Sequence, residues 1–247
     1  MTRFKLVIEY DGGPFVGWQK QQNGPSIQSA LEEAIRQFSG EEVSVTGGGR
    51  TDTGVHALGQ VAHIDLNRTI AADKLREAIN ARLRPAPVAV ISAEEVSEDF
   101  HARFSAVSRS YLYRILSRRA PPTIEKGRVW WVSRSLDSDA MHEAGQVLLG
   151  YHDFSSFRAS ECQASTPLKT LMHLAITRHG DEVWLEVGAR SFLHNQVRII
   201  TGTLCQVGLG RWPISAVGDA LVARNRQAAG PTAPPDGLYL VAIRYTD

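Results

Sequence analysis

Residues 4–10 read as a strand, and Asp11-Gly12-Gly13-Pro14 turns the chain after it. Pro25-Ser26 opens a helix with Ser26 as its N-cap. Ile27, Ala30, Leu31, Ala34, Ile35 and Phe38 then recur at helical spacing as one buried stripe, and Gly40 ends it. Val43 and Val45 alternate with polar residues, the pattern of a short strand. A glycine-rich loop follows over 47–54. Residues 60–66 form a strand with Val61, Ala62 and Ile64 as its apolar members. Leu75, Ile79 and Leu83 share one face of a helix over 73–83, and 88–91 is a β-branched strand.

The first hundred residues therefore read β-α-β-β-α-β, the split-βαβ, ferredoxin-like order. The second half repeats these ingredients more loosely. Strands are expected at 111–116, 171–177, 183–187 and 238–245, and helices at 138–149, 194–207 and 215–224. His179-Gly180-Asp181 joins two of the strands, and the proline-rich stretch 231–235 is a loop. The expected fold is α+β: two ferredoxin-like halves, 1–104 and 105–247, forming a mixed, mostly antiparallel sheet. Helices would cover one face, with an active-site cleft between the halves.

Composition changes this picture little. Apolar residues make up 43% and charged residues 21% of 247, ordinary for a globular chain, and the formal net charge is +1. Charge distribution is more informative. Arg103, Arg109, Arg114, Arg118, Arg119, Lys126, Arg128 and Arg134 form a basic run opposed within it by Glu125, just after the acidic Glu94, Glu95, Glu98 and Asp99. Such a stripe fits a phosphate backbone as well as it fits a solvated strand face. Cys162 and Cys205 lie far apart and outside any CxxC or zinc-type spacing, so neither a disulfide framework nor a metal site is expected. The N-terminus is too short and charged in its apolar stretch for a signal peptide. No apolar run reaches the roughly 20 residues of a membrane span. The chain is expected to be cytoplasmic.

The candidate chemistry lies in Gly47-Gly48-Gly49-Arg50-Thr51-Asp52-Thr53-Gly54. Glycines permit close backbone approach to a ligand, but neither a Lys-Ser or Lys-Thr after the last one nor a following helix is present, which argues against a phosphate-binding P-loop. A GxGxxG nucleotide fingerprint fails on spacing. An Arg-x-Asp in such a loop is either a catalytic carboxylate or a plain turn, since Asp and Thr are common turn residues.

Arg50-Thr51-Asp52-Thr53-Gly54-Val55-His56-Ala57 resembles the signature of the tRNA pseudouridine synthase A family. The resemblance continues in order along the chain. It takes in Glu9-Tyr10-Asp11-Gly12, Gly17-Trp18-Gln19-Lys20-Gln21, Asp99-Phe100-His101-Ala102-Arg103-Phe104-Ser105-Ala106 and Tyr111-Leu112-Tyr113-Arg114-Ile115. Later blocks are Asp153-Phe154-Ser155-Ser156-Phe157-Arg158, Phe192-Leu193-His194-Asn195-Gln196-Val197-Arg198 and Gly237-Leu238-Tyr239-Leu240. Ser110 and Leu112 depart from the basic residues that relatives often carry there, and Gln196 from a Met.

The resemblance implies isomerisation of uridine to pseudouridine in the tRNA anticodon arm, at positions 38, 39 and 40, without metal or organic cofactor. Asp52 would be the nucleophile, and must be ionised and oriented. Arg198 would be its cationic partner, preferred to Arg50, which is retained as a substrate-binding candidate. A guanidinium–carboxylate pair both lowers a carboxyl pKa and fixes its direction. Tyr111 would stack on the flipped base and relay a proton. Tyr113 lies at period two on the same face, and the residues alone do not choose between the two. Leu240 would wall the base. Arg103, Arg109 and Arg114 are phosphate candidates. The family further implies a homodimer with tRNA as its substrate. The alternative is a non-catalytic RNA-binding module of related fold. A glycosidase would need a second carboxylate, and none stands in a comparable constellation.

Overall fold

The computed structural model describes residues 1–246; Asp247, the end of the expected second half, lies outside them. The chain clusters into two compact units. One is Met1–Val107 with the C-terminal strand from Tyr239 onward, and the other is Ser108–Leu238.

The first unit begins with β1 (Thr2–Tyr10), α1 (Ile27–Ser39), β2 (Thr46–Gly47), β3 (His56–Leu66), α2 (Ala72–Leu83) and β4 (Val88–Val96). β1 is antiparallel to both β3 and β4, and β2 is antiparallel to β3. The strand order β4-β1-β3-β2 is that of a split βαβ unit. α1 starts where expected: the Ser26 hydroxyl accepts the Ser29 amide at 3.1 Å, satisfying one orphan donor of the first turn. Gly40 closes it at φ 77°, where glycine carries no Cβ penalty. Ile27, Leu31, Ala34 and Ile35 are buried, whereas Phe38 is half-exposed under the Arg68 guanidinium.

The strand expected at Val43 and Val45 is absent, and pairing is confined to Thr46–Gly47. Val45 is fully buried, but its backbone bonds to helix side chains. Its amide donates to Glu32 Oε1 at 3.3 Å, and its carbonyl accepts from Gln28 Nε2 at 3.2 Å. Backbone groups satisfied in this way are withdrawn from a ladder.

The second unit holds β5 (Ala106–Ser117), β6 (Trp130–Val132), α3 (Ser138–Gly145), β7 (Gly150–Asp153), β8 (Leu168–His179), β9 (Glu182–Ala189), α4 (Gln196–Gly208) and α5 (Ala216–Ala223). Its strands run β5-β9-β8-β7, antiparallel throughout, with β6 parallel to β5. β6 and β7 have no counterpart in the hydrophobic pattern: they are three and four residues long, too short for a period to show. β8 and β9 form a hairpin with no helix between them, as β2 and β3 do in the first unit, so β5-α3-β8-β9-α4 follows the same split-βαβ order with β6 and β7 as short additions. The helix expected over 138–149 ends at Gly145 and tightens into a 3-10 turn over Gln146–Leu148.

The closing strand β10 (Leu238–Tyr245) pairs parallel with β3 through Tyr239↔His56 and Leu240↔Ala57. β2 takes His63 and Ala62 further along β3. The parallel pairs β3–β10 and β5–β6 make the strand set mixed.

Candidate active site

Asp52 sits half-buried between β2 and β3, and the backbone around it is held from several directions. The Thr51 carbonyl accepts the Trp18 amide at 3.0 Å, and the Asp52 carbonyl accepts the Val55 amide at 3.1 Å. The Thr53 hydroxyl donates to the Val16 carbonyl at 3.0 Å. Tyr10, fully enclosed, places its hydroxyl 2.7 Å from that of Thr51. Gln60 Nε2 donates to the Gly49 carbonyl at 2.8 Å and to Tyr10 Oη at 3.4 Å. Tyr10 reaches this position because the β1–β3 register shifts between Ile8 and Tyr10, a bulge that re-aims the strand end.

Two glycines let the 10–18 segment lie directly on the loop. A Cβ on Gly12 would stand 2.0 Å from the Val55 carbonyl oxygen. One on Gly17, whose φ is 109°, would stand 2.6 Å from that of Thr51. The Trp18 ring fills the space above Gly47, within 2.6 Å of where its Cβ would be. The main chain around Asp52 is therefore held by the 10–18 segment and by its own turn. Arg50, two residues earlier, is exposed. Leu240 is fully buried beside Ala57 on the neighbouring strand.

In the second unit, Tyr111 and Arg198 both touch the segment before α4. The Tyr111 ring meets Phe192 edge-on at 5.1 Å. Arg198 Nε donates to the Ala233 carbonyl at 2.7 Å, and its Nη1 donates to Asn195 Oδ1 at 2.9 Å. α4 starts at Gln196, two residues later than expected, because Asn195 adopts a left-handed φ of 61°. Arg198 thus lies in the first turn, against the helix dipole, and its two oxygen acceptors offset that.

Tyr111 and Tyr113 differ sharply. Tyr113 is fully buried with its hydroxyl on the Pro234 carbonyl at 2.7 Å, and burial pushes its pKa well above the usual phenol value. Tyr111 is half-exposed.

The three phosphate candidates also separate. Arg114 donates twice to Glu182, at 2.9 and 2.7 Å, and lies 3.1 Å from Glu125. Burial pushes the Glu182 pKa up, but the Arg114 and Trp184 hydrogen bonds with the charges of Arg114 and His179 outweigh it, and the net direction is down. Arg114 is therefore balanced within the protein. Arg109 is half-exposed and bonds the Arg190 carbonyl, while Arg103 is exposed. Among the described residues no three His, Cys, Asp or Glu side chains group as metal ligands, and no helix is long and apolar enough to cross a membrane.

A profile of the tRNA pseudouridine synthase family matches residues 6–105 and 144–246. The chain belongs to the tRNA pseudouridine synthase family. Among its relatives, a tRNA pseudouridine synthase A of Rhodospirillum centenum is 60% identical over 245 residues, covering 99% of this chain and all of that one. Another, of Rhodospirillum rubrum, is 59% identical over 245 residues, covering 99% and 88%. A third, of Methylocella silvestris, is 56% identical over the full length of both.

The residues that brace the loop of this family member were not singled out from the sequence. Tyr10, Gly12, Gly17 and Trp18 lie inside the resembling blocks with no role attached, and the pattern marks Gln60 only as the start of a strand. Glycines at 12 and 17, just after a strand end, are the available signal for close backbone approach.

Proposed function

We propose that this chain isomerises uridine to pseudouridine in the anticodon arm of tRNA, at positions 38, 39 and 40, with Asp52 as the nucleophile. The observation that carries the reading is the family match over both units, with Asp52 standing in the braced loop that holds the family's signature. The reaction breaks the bond from ribose C1′ to uracil N1, turns the base, and joins C1′ to C5. The C5 proton leaves and N1 ends protonated, so no redox partner or net atom transfer is required.

Arg198 is the cationic member of the catalytic set. A guanidinium has five N–H donors in one plane, and the bonds to Ala233 and Asn195 set that plane. Tyr111 stacks on the extruded base and takes part in moving the C5 proton, a role that requires access, which Tyr113 lacks. Leu240 walls the base, and Arg50, Arg103 and Arg109 meet the RNA backbone, with Arg114 contributing least because of its two carboxylates. The chain acts in the cytoplasm as a homodimer, with tRNA reaching across both subunits. Sedimentation of a monomer alone at working concentration would contradict that part.

The test of the reaction is to map pseudouridine in tRNA from cells lacking this chain. Loss at positions 38, 39 and 40 is expected, restored by the wild-type gene. An unchanged pattern would overturn the reading.

A further inference from the structure

Between β4 and β5 the chain makes a compact turn whose backbone is tied at almost every residue. The His101 amide donates to Ser105 Oγ at 3.0 Å, and the Ser105 amide donates back to the His101 carbonyl at 2.9 Å. Ala102 is held at both ends: its amide donates to His63 Nδ1 at 3.2 Å, and its carbonyl accepts the Tyr245 hydroxyl at 2.7 Å. His101 Nδ1 then accepts the amides of Arg103 and Phe104, at 3.1 and 3.3 Å. This turn leans on the loop that carries Asp52. A Cβ on Gly48 would lie 2.9 Å from both the Ala102 carbonyl oxygen and Tyr245 Oη.

On this rigid support stands an aromatic ring that the fold does not use. Phe104 is 72% exposed, more than Tyr151 at 65% or Trp131 at 40%. Its ring centroid is 4.3 Å from that of His101 on one side, and the Arg103 guanidinium carbon is 5.6 Å from it. A rigidly presented ring beside a cation, next to a nucleophile loop, matches what single-stranded RNA is held by: stacking on the base and charge on its phosphate. Flipping a uridine from its stack needs a surface that takes over the lost stacking.

We propose that Phe104 is a base-stacking residue that holds the nucleotide beside the extruded uridine, with Arg103 at the adjoining phosphate. The proposal rests on reading Asp52 as the catalytic loop residue of a tRNA-modifying enzyme.

The test uses the full chain and an anticodon-arm RNA with 2-aminopurine placed beside the target uridine. Wild type, Phe104→Ala, Phe104→Leu and Phe104→Trp are compared for RNA affinity, fluorescence change on binding and single-turnover rate. Phe104→Ala is expected to raise Kd by about tenfold or more, the loss that truncating one stacking aromatic entails, and to abolish the fluorescence change. Phe104→Trp restores both, and Phe104→Leu does not. Binding by Phe104→Ala within about twofold of wild type with the same fluorescence change would overturn the proposal. So would full restoration by Phe104→Leu, which needs only an apolar contact. Weakened self-association of Phe104→Ala in sedimentation, with RNA affinity following it, would instead give the ring to a second copy of the chain, and the proposal falls. Affinity and fluorescence require no turnover. A wild type that forms no pseudouridine therefore counts against the function and leaves the stacking result readable.

Discussion

The hydroxyls of Tyr10 and Thr51 lie 2.7 Å apart, one residue upstream of Asp52. Burial pushes the Tyr10 pKa up to about 12, so the phenol keeps its proton across the working range and can donate it to Thr51. Tyr10→Phe preserves the ring that packs 6.2 Å from Trp18 and removes only the bond. The expected stability loss is about 1 kcal/mol, a fall in Tm of ~2–4 °C. With Asp52 as the proposed nucleophile, the expected effect on kcat exceeds that on KM, because the loop sets its orientation and leaves distant RNA contacts intact. Thermal melts and steady-state kinetics check the two parts separately.

Arg198→Lys keeps the positive charge and loses the planar fork. An ammonium cannot bridge the Ala233 carbonyl and Asn195 Oδ1 in one plane as the guanidinium does. Turnover should fall by about 100-fold or more, with affinity for tRNA changed far less. Near-wild-type turnover in this variant would show that charge alone suffices.

His63 gives a pH signature. Burial, then the charges of Arg3 and His101, hold its pKa below the ordinary value of 6.5. The folded protein thus prefers the neutral ring, whose Nδ1 accepts the Ala102 amide. The unfolded chain binds the proton first as pH falls, so the stability from the neutral ring is complete above pH 6.5. It declines as pH drops from there toward the lower folded pKa, then levels off. Denaturant midpoints across pH 7.5 to 5 should show this slope in the wild type, and His63→Gln should flatten it.

Legibility in the sequence followed how local each determinant was. α1 could be read from Ser26 and Gly40 because caps and stripe lie within the helix itself. Val43 and Val45 misled because their alternation is genuine, yet Val45 spends its backbone on Gln28 and Glu32 of α1. Nothing within five residues announces that. α4 started late because Asn195 turns left-handed, a conformation the helical spacing around it does not encode. The motif around Asp52 was legible as a family signature. Its bracing was not, since Tyr10, Gly12 and Gly17 act across a β-bulge and through the absence of side chains. The split of the basic run was equally hidden: Arg114 finds Glu182 some 68 residues away.

The central claim is that the Asp52 carboxylate is the nucleophile, and Asp52→Asn tests it most directly. The amide keeps the side chain's shape and leaves the bonds of Thr51, Thr53 and Val55 to the surrounding backbone in place. Single-turnover pseudouridine formation on unmodified tRNA should fall by at least ~10³-fold, the scale of losing a catalytic nucleophile, with tRNA affinity within about twofold of wild type. Turnover within tenfold of wild type would contradict the account.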